Sequence, residues 1–79
     1  MTLKTIKYFC VKENLYETPD LNEKLYLQYK GFKNIDGLEN YPNLVAAWLN
    51  NNSIVKIQGL NALKNLSCLY LQNNSISKI

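Results

Sequence analysis

The chain contains no arginine and no histidine. Without arginine there is no planar fork for a phosphate or a guanine edge. The net charge of +3 rests on lysine alone and is too small to argue for nucleic acid. Without histidine the commonest general base is missing. Two cysteines, Cys10 and Cys68, make a poor zinc site unaided. They also fall well short of the disulfide density of small secreted domains. They fit a reducing compartment, although a single bridge stays open. Gly31, Gly37 and Gly59 are isolated, so there is no glycine-rich phosphate loop; they mark turns. The acids Glu13, Glu17, Asp20, Glu23, Asp36 and Glu39 are scattered, with no carboxylate pair on one face. No catalytic residue, metal ligand or cofactor is therefore expected, and the chain is not read as an enzyme. Long apolar runs are lacking too. Lys4, Lys7 and Lys12 interrupt the N-terminus, which is not a signal peptide, and nothing reaches the length of a membrane span. The expected setting is the cytoplasm.

What the chain does have is repetition. Its last residues, LYLQNNSISKI from Leu69, nearly restate WLNNNSIVKI from Trp48. Rows of 22 starting at Asn22 bring the columns into phase. Position 4 holds Leu25, Ala47 and Leu69; position 6 holds Leu27, Leu49 and Leu71. Position 9 holds Lys30, Asn52 and Asn74. Position 11 holds Phe32, Ile54 and Ile76, and position 14 holds Ile35, Ile57 and Ile79. Leu38 and Leu60 share position 17, and Tyr41 and Leu63 share position 20. The pattern is that of a leucine-rich repeat.

The spacing has a physical reason. Positions 3 to 5 form a short strand, so positions 4 and 6 point inward by the alternation of a strand. Apolar residues at 11, 14, 17 and 20 fill the coil from its other side. No coil buries its apolar face without a neighbour. Asn at position 9 turns inward, where its amide meets backbone groups that an apolar side chain could not. The expected architecture is α/β: a right-handed leucine-rich-repeat solenoid with a parallel sheet on its concave face. Strands are expected near residues 24–27, 46–49 and 68–71. Repeats occupy 22–43, 44–65 and an incomplete 66–79.

Residues 1–21 stand outside the repeat and are read as an N-terminal capping helix and linker. On a helical wheel over residues 3–13, Leu3, Ile6, Phe9 and Cys10 share one side. Lys4, Tyr8, Val11 and Lys12 share the other. Thr2 suits the N-cap, Asn14 a stop, and Pro19 excludes helix beyond. A membrane-surface helix is the rival reading, with only three lysines behind it.

Position 5 points away from the core and holds Tyr26, Trp48 and Tyr70. Strand spacing sets these aromatics roughly 5 Å apart, side by side. Position 7 adds Gln28, Asn50 and Gln72, and position 8 adds Tyr29, Asn51 and Asn73. Aromatics favour any sheet, which accounts for two of them. Exposed Trp and Tyr beside neutral amides, however, have the composition of a protein-binding hot spot. These nine residues form the candidate protein-binding face. A nucleic acid would need several lysines there. N-x-S sequons at Asn51, Asn65 and Asn73 are largely a by-product of the repeat and are not expected to be glycosylated.

The repeat resembles the 22-residue class of intracellular leucine-rich repeats. The segment LYETPDLNEKLYLQYKGFKNIDGLENYPNL, Leu15 to Leu44, is more specific. With the preceding helix and the following Trp48-Leu49, it resembles the start of the axonemal dynein assembly factor one family. Lys30-Gly31-Phe32 in place of a ladder Asn belongs to that match, whereas Ala47 stands where the family has Leu. The resemblance implies a cytoplasmic factor for preassembly of dynein arms, in cells with cilia or flagella. The alternative is a general leucine-rich-repeat scaffold of the axonemal dynein light chain, phosphatase-regulatory or RNA-particle type. The third row lacks its leucines at 17 and 20. A piece of a longer protein, or self-association through the C-terminal edge, is expected.

Overall fold

The computed structural model describes residues 1–77. One helix, α1 (Leu3–Lys12), precedes three strands: β1 (Lys24–Tyr26), β2 (Ala46–Trp48) and β3 (Cys68–Tyr70). The strands lie parallel in the order β1-β2-β3. Leu25 registers with Ala47 and Ala47 with Leu69, a constant step of 22 residues. Single 3₁₀ turns sit at Pro19–Leu21 and Leu38–Asn40. The expectation of a helix and three parallel strands holds. Each element ends one residue earlier than its spacing alone suggests, and the position of Ile79 lies outside the described residues.

The backbone repeats as faithfully as the sequence does. The amides of Val45 and Ala46 share the Glu23 carbonyl, and those of Ser67 and Cys68 share the Val45 carbonyl. Leu27 N–H donates to the Trp48 carbonyl at 2.8 Å, and Leu49 N–H to that of Tyr70 at 2.9 Å. The chain is thus a small α/β unit, with an open parallel sheet consistent with leucine-rich-repeat packing.

Most inward residues of the first two rows are closed off from solvent. Leu25, Leu27, Ile35, Leu38, Tyr41, Leu44, Ala47, Leu49 and Ile54 form the centre of the core. Leu66, Leu69, Leu71 and Ile76 of the third row pack against it but remain half-buried. Ile57 and Leu60 are half-buried as well.

α1 lies against β1, with Ile6 and Cys10 buried and Leu3 and Phe9 packed on the core. Thr2 caps it: the Thr5 N–H donates to Thr2 Oγ1 at 3.2 Å. The helix stops at Glu13 because Asn14 takes a left-handed φ of 60°. Leu15 N–H then reaches back to the Cys10 carbonyl at 2.7 Å, and Asn14 N–H to that of Val11 at 3.2 Å. These paired bonds form a Schellman closure, in which Asn replaces the usual Gly.

Gly37 and Gly59 share a repeat column but differ in surroundings. Both have positive φ, +87° and +72°. A Cβ on Gly37 would meet Leu3 N at 2.9 Å and Thr2 C at 3.1 Å, under the start of α1. A Cβ on Gly59 would meet only the Ile35 carbonyl, at 3.6 Å. Gly59→Ala is expected to cost roughly 1–2 kcal/mol for the left-handed backbone. Gly37→Ala is expected to cost more, because α1 must also shift. Urea unfolding of both variants checks this; equal losses would show that α1 yields freely.

Beneath α1, burial pushes the Cys10 thiol above its ordinary pKa of 9.0, an effect partly offset by Tyr41. Burial holds the Tyr41 hydroxyl well above its ordinary 10.0, and the neighbouring Cys10 adds to that. The hydroxyl lies beside the Cys10 thiol but makes no well-formed hydrogen bond among the described residues. Both groups stay uncharged in the fold while the unfolded chain ionises first. Stability is therefore full below pH 9 and is lost as pH climbs past 9.0 and then 10.0. Tyr41→Phe is expected to be near-neutral at pH 7. It should flatten the alkaline fall in melting temperature measured between about pH 9 and 11.

Candidate functional site

Short strands place the position-5 side chains on the outward face of the sheet. The Tyr26 and Trp48 rings lie 4.8 Å apart at 31°, and Trp48 and Tyr70 lie 5.0 Å apart at 19°. Strand spacing and parallel register together make this stack. Much of each ring surface is spent on its neighbour. Tyr26 and Trp48 are half-buried, and Tyr70 is 38% exposed. The open aromatic surface is thus smaller than three independent rings would give. Ala46, on the same side of its strand, is closed off.

Position 7 runs alongside. Gln28 and Asn50 are half-buried and Gln72 is exposed. Asn50 Nδ2 donates to Asn51 Oδ1 at 2.8 Å. Among the described residues, Gln28 Oε1 and Asn50 Oδ1 are buried acceptors without a donor. Both oxygens are closed off from solvent, so an outside donor reaches them only if their side chains turn. A flat aromatic stack on an outward face suits a ligand with an apolar surface.

Position 8 owes its residues to the backbone. Tyr29, Asn51 and Asn73 have φ of 58°, 59° and 61°. Asn tolerates this left-handed conformation; Tyr does not favour it. Tyr29 is 73% exposed and has no ring partner among the described residues. Asn51 N–H donates to the Gln72 carbonyl at 3.0 Å. Asn51 and Asn73 thus have a local structural reason that sequence columns could not separate from a binding role. The left-handed column was legible only as an Asn recurrence, and Tyr29 breaks it.

Position 9 behaves as the repeat requires. Asn52 Oδ1 accepts from Lys30 N at 3.0 Å and Phe32 N at 3.1 Å. Its Nδ2 donates to the carbonyls of Leu27, Leu49 and Asn50. Asn74 repeats this one row later, with Ile54 N, Leu49 O and Leu71 O. Each ladder Asn therefore serves the row before it as well as its own. The first row has α1 before it and no such need. Lys30 instead sets its ammonium 4.5 Å from the Phe9 ring centroid of α1.

Asn22 escaped the reading by columns. It is 2% exposed, accepting from Tyr16 N at 3.1 Å and donating to Tyr16 O at 2.7 Å. It pins the segment between α1 and β1. Among the described residues, no three His, Cys, Asp or Glu side chains converge to hold a metal ion. Cys10 is buried, Cys68 exposed, and both are free.

The helix-led, open parallel sheet with a strand every 22 residues defines the class of unit. Comparison with known proteins narrows it. No protein-family model and no solved structure matches the chain. Dynein axonemal assembly factor 1 homologues do. That of Drosophila melanogaster is 53% identical over 54 residues, 68% of this chain and 4% of the relative. That of Anopheles gambiae is 52% identical over the same share of this chain and 6% of its own length. The Homo sapiens protein is 46% identical over 49 residues, 62% of this chain and 7% of its own. Over this segment the chain is a homologue of dynein axonemal assembly factor 1. It spans under a tenth of the length of these relatives.

Proposed function

We propose that the chain is a protein-interaction module of a cytoplasmic factor that preassembles axonemal dynein arms. On this reading it folds as part of a right-handed leucine-rich-repeat solenoid with the aromatic stack on its concave face. The observation behind the binding role is the Tyr26–Trp48–Tyr70 stack on the outward face of the sheet. Clustered aromatic rings on a surface have the composition of a protein-binding hot spot. The named relatives support the dynein-assembly setting. The half-buried third row also supports self-association of the isolated chain through β3. Proximity labelling from the full chain in a cell building motile cilia tests the reading. Axonemal dynein subunits are expected among the labelled proteins, and their labelling should fall with Trp48→Ala at equal abundance. Phosphatase or RNA-particle subunits in their place would favour a general scaffold instead.

A further inference from the structure

We propose a second docking surface, on the outer face of α1, for an acidic segment of a protein partner with one aromatic or aliphatic anchor. It is independent of the aromatic stack. The inner face of α1 is used by the core through Leu3, Ile6, Phe9 and Cys10. The outer face has no such use, yet it is not plainly polar. Tyr8 and Val11 are each 56% exposed. They floor an open depression of about 380 Å³, whose rim is Lys4, Lys7, Lys12 and Glu17. Three lysines stand against one glutamate there. Lys12 leans over the Tyr8 ring, its ammonium 5.5 Å from the centroid.

The fold accounts for part of this: Lys12 suits the last turn of α1, and Tyr8 meets the Phe9 ring edge-to-face at 5.2 Å, but Lys4, Lys7 and Val11 gain nothing comparable. The first turn of α1 holds Lys4 and no acidic residue, which opposes the helix macrodipole. Exposed Tyr8 and Val11 leave apolar surface in water. Choices that break local rules without a gain to the fold mark functional sites. Charge complementarity selects an acidic occupant, and the apolar floor selects its anchor. Lysine point charges suit carboxylates held in no fixed geometry, for which a guanidinium fork is not needed. A membrane surface is the weaker occupant, because the broad apolar stripe of α1 faces the core and only two apolar side chains face out.

The test uses the full chain and a fluorescein-labelled peptide, Glu-Asp-Glu-Trp-Glu-Asp-Glu, with a lysine-substituted counterpart as control. Fluorescence anisotropy should show binding of the acidic peptide only, weakening as salt rises. Lys4→Glu with Lys12→Glu should weaken it at least about tenfold, since like charges then face each other. Lys4→Glu alone should lower affinity while leaving melting temperature unchanged or higher, because an acid suits the first turn. A structural role for Lys4 would move both the same way. Trp48→Ala should leave peptide affinity per folded molecule unchanged. Equal binding of both peptides, an unaffected double variant, or a lower affinity per folded molecule with Trp48→Ala would each overturn the proposal. Binding to phosphatidylserine–phosphatidylcholine vesicles without peptide binding would overturn it in favour of a membrane surface.

Discussion

Replacing Asn52 by alanine is expected to destabilise the fold by about 3 kcal/mol, through several backbone groups left without partners at about 1–3 kcal/mol each. The amides of Lys30 and Phe32 lose their acceptor, and the Leu27 carbonyl loses a donor. Leu49 O keeps Asn74, which limits the damage. At about 0.05–0.15 kcal/mol per residue, such a loss takes a large fraction of a small domain's total stability. Asn52→Asp separates the two ends of the amide. It keeps the acceptor but turns a charge toward carbonyls, so it should also destabilise. Asn50→Ala, two positions away in the same NNN run, is expected to stay within about 0.5 kcal/mol. Urea unfolding of the three variants decides the matter; equal shifts for Asn50 and Asn52 would contradict the ladder.

Truncating Trp48 should act on binding instead. Trp48 sits between Tyr26 and Tyr70, in contact with both rings. A buried aromatic anchor at the centre of an interface costs about 2 kcal/mol or more when truncated, roughly thirtyfold in affinity. Trp48→Ala also removes two ring pairs worth about 0.5–1.5 kcal/mol each, so some loss of stability is expected. The informative quantity is therefore affinity per folded molecule, from calorimetry with a dynein-assembly partner recovered by proximity labelling. Unchanged affinity with a fallen melting temperature would make Trp48 a packing residue only.

The strand register was legible because the same apolar columns recur; Leu25, Ala47 and Leu69 pair as their columns require. The inward turn of Asn52 was legible for the same reason. Other features depend on contacts that no column contains. Asn22 is buried because the chain comes back from Tyr16 past Pro19 to meet it. Gly37 and Gly59 look equivalent until α1 is seen to rest on one of them.

The candidate face was half legible. Alternation placed Tyr26, Trp48 and Tyr70 together, and their rings do meet. It could not show that stacking hides much of Tyr26 and Trp48, nor which amide oxygens go unmet. Asn51 and Asn73 read as surface amides because Tyr29 interrupts their column. The shared left-handed backbone explains both asparagines without any partner.

Trp48 is the only tryptophan and stands at the middle of the stack, so its own emission reports on the face. The direct measurement is selective: tryptophan emission and acrylamide quenching during titration with the recovered partner, its own tryptophans replaced. Occupation of the sheet face should shift the emission to the blue and protect it from quenching in a saturable way. Emission and quenching unchanged at saturation, with binding confirmed calorimetrically, would place the partner elsewhere and contradict a binding role for the aromatic stack.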